Sequence, residues 1–349
     1  MTTSLTATEQ AILHILQSDF PLTSRPYQAI GTALGQSEAD IIQMIQSLKD
    51  RKIIRQISAI FHGTALGFTT TLVAFQLPEE TLDQAAQIIS DHPGVSHNYQ
   101  REHPFNLWFT LAVPQELEIT RHIAILAEMT GCTTSLYLPS TRMFKRQVQL
   151  EIADSLPKVT LPSRVSPRLS RKINLPAEIQ HCLMRELSKD LPLSPTPFQD
   201  LARRCQVEED VVFELLDDLQ STHTMSRFAG ILRHRHVGFT ANAMVVWDVP
   251  AAQVSAFVDT VIQYQAISHC YERVTYPNWP YNLYTMVHGT TKQATCQIID
   301  DLASQWPHVP YEILYSGKEY KKQRVNYFSQ DIYAWDTRHI GRPQGNQEA

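Results

Sequence analysis

Histidine, tyrosine and arginine stand at alternate positions twice in this chain, as His97-Asn98-Tyr99-Gln100-Arg101 and again as His269-Cys270-Tyr271-Glu272-Arg273. On a β-strand that spacing puts the three side chains of each set on one face. A group that titrates near neutrality, a phenol and a fixed cation side by side are the makings of a site for an anionic ligand. A second echo follows each set: Phe105-Asn106-Leu107-Trp108 and Tyr281-Asn282-Leu283-Tyr284. Trp108, Trp279 and Tyr281 offer flat apolar surface to such a ligand, and Tyr99 and Tyr271 offer a hydroxyl or a ring face. His103 comes two residues after Arg101, in the turn Glu102-His103-Pro104, and is expected to continue the same face.

The elements that must position these residues are also duplicated. Pro26-Tyr27 aligns with Pro197-Phe198, Ala59-Ile60-Phe61 with Gly230-Ile231-Leu232, and Leu138 to Lys145 with Leu314 to Lys321. A period of half the chain means a fused tandem, not a solenoid of short repeats. Each copy opens with three helices, the first signalled by the capping-box spacing of Thr6 and Glu9 and the third by Ser37 and Asp40. A run rich in β-branched residues follows, so the opening reads as a winged helix-turn-helix. The remainder of each copy alternates as βαββαβ, the ferredoxin-like split motif, with the last strand of copy one expected over 133–138. The fold class is therefore α+β. The expected domains are winged helices over 1–60 and 177–230, ferredoxin-like domains over 61–153 and 231–330, a proline-rich basic linker over 154–176, and a C-terminal tail over 331–349.

With 349 residues, 43% of them hydrophobic and 19% charged, the chain has the makeup of a multidomain globular protein. No apolar run approaches the length of a membrane span, and the polar start lacks the features of a signal peptide. The five cysteines are odd in number and never spaced as CxxC, which argues against a structural zinc site and a disulfide framework and for a cytoplasmic location. The net charge of -5 gives no global attraction to nucleic acid. The candidate recognition helices are acidic: 37–50 carries Glu38, Asp40 and Asp50 against Lys49, and 207–220 carries six acids and no base. Phosphate contact needs the opposite sign, so no DNA partner is expected. The cations lie elsewhere: Arg142 and Lys145 after the last strand of copy one, Lys318 and Lys321 after that of copy two, and Arg233 with His234 before a strand.

A winged helix-turn-helix followed by a ferredoxin-like domain resembles the Lrp/AsnC family of transcription regulators, here as a pseudo-dimer in one chain. The finer motifs, His97-x-Tyr-x-Arg101-x-His103-Pro104-Phe105-Asn106-Leu107-Trp108 and Tyr271-x-Arg273 leading to Trp279-Pro280-Tyr281-Asn282-Leu283-Tyr284, resemble the two subunit types of siroheme decarboxylase. That resemblance covers nearly the whole sequence. It implies removal of carbon dioxide from two acetate side chains of siroheme, giving didecarboxysiroheme for d-type haem or an alternative haem route. It implies no cofactor and no protein-bound metal, since the substrate carries its own iron. The reacting carboxylate leaves carbanion character that the macrocycle delocalises, so the protein must hold carboxylates and supply a proton. His97, His103 and His269 are the candidate donors and Arg101 a carboxylate clamp. The substrate would be bound by Tyr99, Trp108, Arg142, Lys145, Arg233, His234, Tyr271, Arg273, Trp279, Tyr281, Lys318 and Lys321. The expected partners are siroheme and its products, without a membrane, and a homodimer is compatible with the layout. The competing readings are a DNA-binding regulator that senses a tetrapyrrole or amino acid, and a haem-binding protein without chemistry.

Overall fold

The computed structural model describes residues 5–18, 20–146, 175–232 and 241–341. In chain order the elements are α1 (Ala7–Ser18), α2 (Pro26–Leu34), α3 (Glu38–Asp50), β1 (Ile54–Phe61), β2 (Phe68–Gln76), α4 (Leu82–Asp91), β3 (Val95–Arg101), β4 (Leu107–Pro114), α5 (Ile119–Thr130) and β5 (Thr134–Arg146). Copy two continues with α6 (Ala177–Ser188), α7 (Pro197–Arg204), α8 (Glu209–Ser221), β6 (Met225–Leu232), β7 (Ala241–Trp247), α9 (Val254–Val261), β8 (Ile267–Arg273), β9 (Leu283–Gly289), α10 (Lys292–Gln305), β10 (Tyr311–Lys322) and α11 (Asp331–Ile340). The compact units are not the two sequence copies. Met1–Leu66 joins Gln149–Gly238 in one unit, and Gly67–Val148 joins Phe239–Ala349 in the other. Of the linker expected over 154–176, positions up to 174 lie outside the described residues.

The first unit holds both sets of three helices and both wings. The capping box forms at α1, where the Glu9 amide donates to Thr6 Oγ1 at 3.2 Å and the Thr6 amide to Glu9 Oε2 at 2.9 Å. Helix α2 starts at a proline and stops at Gly35, whose φ of +66° is the left-handed conformation that glycine adopts without strain. Helix α3 is capped by Ser37 and buries Ile41, Ile45 and Leu48, one stripe at helical spacing. The wings β1 and β6 pair antiparallel with each other, Ile57 opposite Gly230. A β-carbon at Gly230 would stand 2.9 Å from Leu16 Cβ, so that close approach requires glycine. Cys182 and Cys205 form a disulfide bond. The expectation of no disulfide is thus corrected for one pair: cysteine count and spacing carry no information on how α6 and the end of α7 are brought together. Cys132, Cys270 and Cys296 are free thiols.

The second unit is a closed barrel in the order β10-β3-β4-β2-β5-β8-β9-β7. Each copy contributes a four-stranded ferredoxin-like sheet, and the two sheets join at both edges through their last strands. Strand β5 pairs with β2 over 134–139 and then with β8 over 140–146. Strand β10 does the same with β7 and then β3. The last strand of copy one therefore continues eight residues past the expected end at Leu138, because a second partner strand takes over its hydrogen bonds where the first ends. Closure leaves the barrel itself without an open edge among the described strands. The expected C-terminal tail is also corrected: residues 331–340 form α11, which buries Ile332, Trp335 and Asp336. Among the described residues no helix is long and apolar enough to cross a membrane.

Candidate functional site

Strand register decides which side chains point into the barrel. Tyr99 lies opposite Trp108, and Tyr271 opposite Tyr284. Trp108 and Tyr284 belong to a buried cluster with Ala74, Leu136, Leu138, Met244, Val246 and Leu314, drawn from both copies. His97, Tyr99 and Arg101 therefore line the inner face, as do His269, Tyr271 and Arg273. Asn98, between them, points outward and donates to the Ala86 carbonyl at 2.9 Å on α4.

The two rows have the same geometry. His97 stacks on Tyr99 with ring centres 6.2 Å apart and planes at 24°; His269 stacks on Tyr271 at 5.9 Å and 20°. The Arg101 guanidinium sits 5.7 Å from the centre of the Tyr99 ring, and that of Arg273 sits 5.3 Å from Tyr271. Each arginine reaches across to the other copy. Arg101 Nη1 donates to the Leu314 carbonyl at 3.0 Å and to Ser316 Oγ at 2.6 Å, and Arg273 Nη1 donates to the Leu138 carbonyl. Arg101 is buried, Arg273 largely so, and the Nε of each has no partner. No described carboxylate forms an ion pair with either. Burial holds the Arg101 guanidinium down at about 10 and lowers that of Arg273 as well. Two buried cations without counter-charge are arranged to receive anions.

Burial falls off along the inner face from one half to the other. Trp108, Leu138, Leu314 and Tyr284 are buried, whereas His97, Tyr99, His269 and Tyr271 are half-buried and Met143, opposite Tyr271, is 52% exposed. The two arginines stand at the boundary.

Other expected site residues have different settings. His103 leaves the row: its Nδ1 accepts the Phe105 amide at 3.0 Å and its Nε2 lies 2.9 Å from Glu312 Oε2. Nδ1 thus closes the turn, and Nε2 faces a carboxylate on β10. Trp279 is enclosed by His103, Phe105, Trp108 and Tyr281 and donates to the Tyr284 hydroxyl at 2.6 Å. Trp108 donates to the Phe105 carbonyl at 2.7 Å. Both indoles are only 2% exposed, so in this structure the rings pack against protein inside the barrel. Tyr281 donates to Glu312 Oε1 at 2.8 Å.

Lys145 and Lys321 point outward and cap helix ends. Lys145 Nζ donates to the carbonyls of Ile262 and Tyr264 after α9, and Lys321 Nζ to those of Ser90 and His92 at the end of α4. Lys318 pairs with Asp83 at 2.8 Å, and Arg142 with Glu272 at 3.6 Å, also on the outer face. Sequence spacing alone placed these four at the sheet edges; bulges in β5 and β10 set which way each one turns. Arg233 and His234 lie outside the described residues.

Several inward residues escaped the sequence reading. Glu319 accepts the Tyr99 hydroxyl at 3.2 Å. Ser96 Oγ lies 2.9 Å from His97 Nδ1, and Ser268 Oγ 2.6 Å from His269 Nδ1. A serine before the histidine in both copies was the signal for the last pair. The repeated asparagines have a structural role: Asn106 and Asn282 each bond both the amide and the carbonyl of one residue, Leu77 and Val249.

Comparison with known proteins identifies the family. A model described as the AsnC-like ligand binding domain matches 65–145 and 236–321, and one described as the siroheme decarboxylase NirDL-like HTH domain matches 9–55 and 181–225. Siroheme decarboxylase of Hydrogenobacter thermophilus is 31% identical over 325 residues, 93% of this chain and 96% of that protein. The NirDL subunit of Paracoccus denitrificans is 28% identical over 89% of this chain and 94% of its own length. The alpha subunit of Desulfovibrio desulfuricans is 38% identical over 41% of this chain. Among solved structures, the siroheme decarboxylase NirDL superposes with a TM-score of 0.75 at 29% identity, covering 96% of this chain and 98% of that one. A co-complex of NirDL with an iron-uroporphyrin III analogue superposes equally well. With one full-length relative above 30% identity and a family-specific match in both copies, the chain belongs to the siroheme decarboxylases, a family of carboxy-lyases.

Proposed function

We infer that this chain decarboxylates siroheme on the inner face of its barrel, removing two acetate carboxyl groups to give didecarboxysiroheme. The observation that carries this reading is the pair of buried guanidiniums on the barrel's inner face, Arg101 and Arg273, which pair with no carboxylate among the described residues. Siroheme bears carboxylates on every ring, and a relative of this fold binds an iron-uroporphyrin analogue. Each arginine takes one carboxylate in a forked contact and keeps it ionised.

When the carbon–carboxyl bond breaks, its electron pair stays on the methylene carbon and spreads into the macrocycle. A new C–H bond then forms with a proton from the histidine of that row, His97 in copy one and His269 in copy two. Tyr99 and Tyr271 stack on those imidazoles and hold their planes. Since the two rows are built alike, each serves one acetate. No separate cofactor takes part in this scheme, because the macrocycle is the electron sink. The product enters d-type haem or an alternative haem route, and the acidic faces of α3 and α8 leave DNA outside the function.

The test is anaerobic incubation of the full chain with siroheme and mass spectrometry of the extracted tetrapyrrole. Loss of two carbon dioxide units is expected. Tight binding without any mass change would replace the enzyme with a sensor or carrier.

A further inference from the structure

Copy two carries a hydrogen-bonded chain whose second histidine and asparagine have no counterpart in the sequence of copy one. Ser268 Oγ lies 2.6 Å from His269 Nδ1 and 2.6 Å from His288 Nε2, and His288 Nδ1 lies 2.7 Å from Asn242 Oδ1. The four side chains run from β8 through β9 to β7, adjacent strands of the barrel. His288 lies opposite Asn242 in the β7–β9 ladder, where copy one has Ala112 opposite Thr70. Ser96 and His97 repeat the first link, and neither Ala112 nor Thr70 supplies a second imidazole behind it.

We propose that His288, acting through Ser268, is the proton reservoir for His269 and that only the decarboxylation served by copy two uses it. This rests on His269 delivering a proton from Nε2. The donor and acceptor pattern permits the step without moving a heavy atom. Asn242 Oδ1 accepts from His288 Nδ1–H throughout, which leaves His288 Nε2 as the end that exchanges protons with the serine. In the loaded state His288 carries both ring hydrogens and its Nε2–H donates to Ser268 Oγ. The serine hydroxyl donates to His269 Nδ1, and His269 holds its hydrogen on Nε2.

As the substrate carbon takes the Nε2 hydrogen, His269 Nδ1 takes the serine hydrogen and Ser268 Oγ takes that of His288 Nε2. Three bonds to hydrogen break and three form. The positive charge leaves His288, and it neutralises the carbanion instead of building on His269. Solvent then protonates His269 at Nε2, and its Nδ1 hydrogen passes back through Ser268 to restore the loaded state. His288 touches no reacting atom, so it is a positioning residue that acts through His269.

The test uses the full chain with siroheme under anaerobic conditions, with the two successive losses of carbon dioxide resolved in time by mass spectrometry. His269→Ala serves as reference beside His288→Gln, His288→Ala and Ser268→Ala. Glutamine keeps a polar contact but cannot carry the proton. His288→Gln and Ser268→Ala are each expected to lower kcat about tenfold or more for one loss, the one that His269→Ala abolishes, with KM within about twofold. Added imidazole is expected to restore part of that rate in His288→Ala. If His269→Ala removes one loss while His288→Gln leaves both within twofold, the relay is overturned and the proton-delivery reading stands. A raised KM with unchanged kcat in His288→Gln overturns it too, as a structural role. If His269→Ala alters neither loss, proton delivery by this row fails, and the relay fails with it.

Discussion

Arg101→Met separates a ligand-binding cation from a structural one. Burial brings the guanidinium down to about 10, two to three powers of ten below its ordinary value. At about 1.4 kcal/mol for each factor of ten, the charged form costs the empty protein roughly 3 kcal/mol. Against this stand the bonds to the Leu314 carbonyl and Ser316 Oγ, at about 1.5 kcal/mol each for a charged donor. The two sides nearly cancel. Methionine is unbranched and fills much of the same space. The variant should therefore keep its stability to within about 1 kcal/mol, a shift in Tm of no more than about 3 °C. Siroheme binding should weaken far more, because a desolvated charge loses its partner: about 2–4 kcal/mol, or roughly 30- to 1,000-fold in Kd. Differential scanning calorimetry of the empty protein and an anaerobic absorbance titration with siroheme read the two quantities separately. An arginine that holds the barrel together would give the reverse, a stability loss above about 3 kcal/mol with Kd unchanged. That result would refute the reasoning.

His103→Ala should leave kcat within a few-fold and lower stability by about 1–2 kcal/mol, because its Nδ1 is already bonded within the turn and its Nε2 faces the Glu312 carboxylate; a hundredfold fall in kcat with unchanged Tm would return it to the chemistry. Lys321→Met should cost about 1 kcal/mol in denaturant unfolding through the uncapped end of α4, with siroheme affinity unaltered; a loss of affinity without a loss of stability would assign it to the ligand. His92 is fully buried and is held well below its ordinary value, mainly by burial and then by His122, so the unfolded chain binds the extra proton as pH falls. Its contribution is complete above about 6.5 and is lost below that, with a slope of up to about 1.4 kcal/mol per pH unit towards its folded value. Urea unfolding at pH 7.5, 6 and 5 should show this slope, and His92→Gln should flatten it; an unchanged slope would mean that other groups set the acid limit.

The repeat was legible because chemistry and strand period coincide. Alternation of His, Tyr and Arg is visible in one dimension, and the barrel turns it into a face as a period of two requires. The capping boxes and the glycine stop of α2 were legible for the same local reason. What the sequence did not carry is long-range. The exchange of last strands depends on hydrogen-bonding partners more than 100 residues away, so Arg101 gave no sign that it would reach Leu314. Bulges in β5 and β10 turned Lys145 and Lys321 to the outer face, and no spacing rule marks such a bulge. The region read as a tail became a helix because Trp335 stacks on His122 and Asp336 lies 3.2 Å from His122 Nε2, contacts invisible without α5 in place. The pairing of His288 with Asn242 was hidden likewise, since copy one has no counterpart to align with it.

Comparison of His97→Ala and His269→Ala with the parent chain tests the account most directly. Each would be incubated anaerobically with siroheme and the tetrapyrroles quantified over time by mass spectrometry. Loss of two carbon dioxide units is expected in the parent chain, and arrest after one in each variant, with the two arrested products distinguishable as regioisomers by chromatography. Two losses at the parental rate in both variants would contradict it, and so would a parent chain that binds siroheme and returns it unchanged.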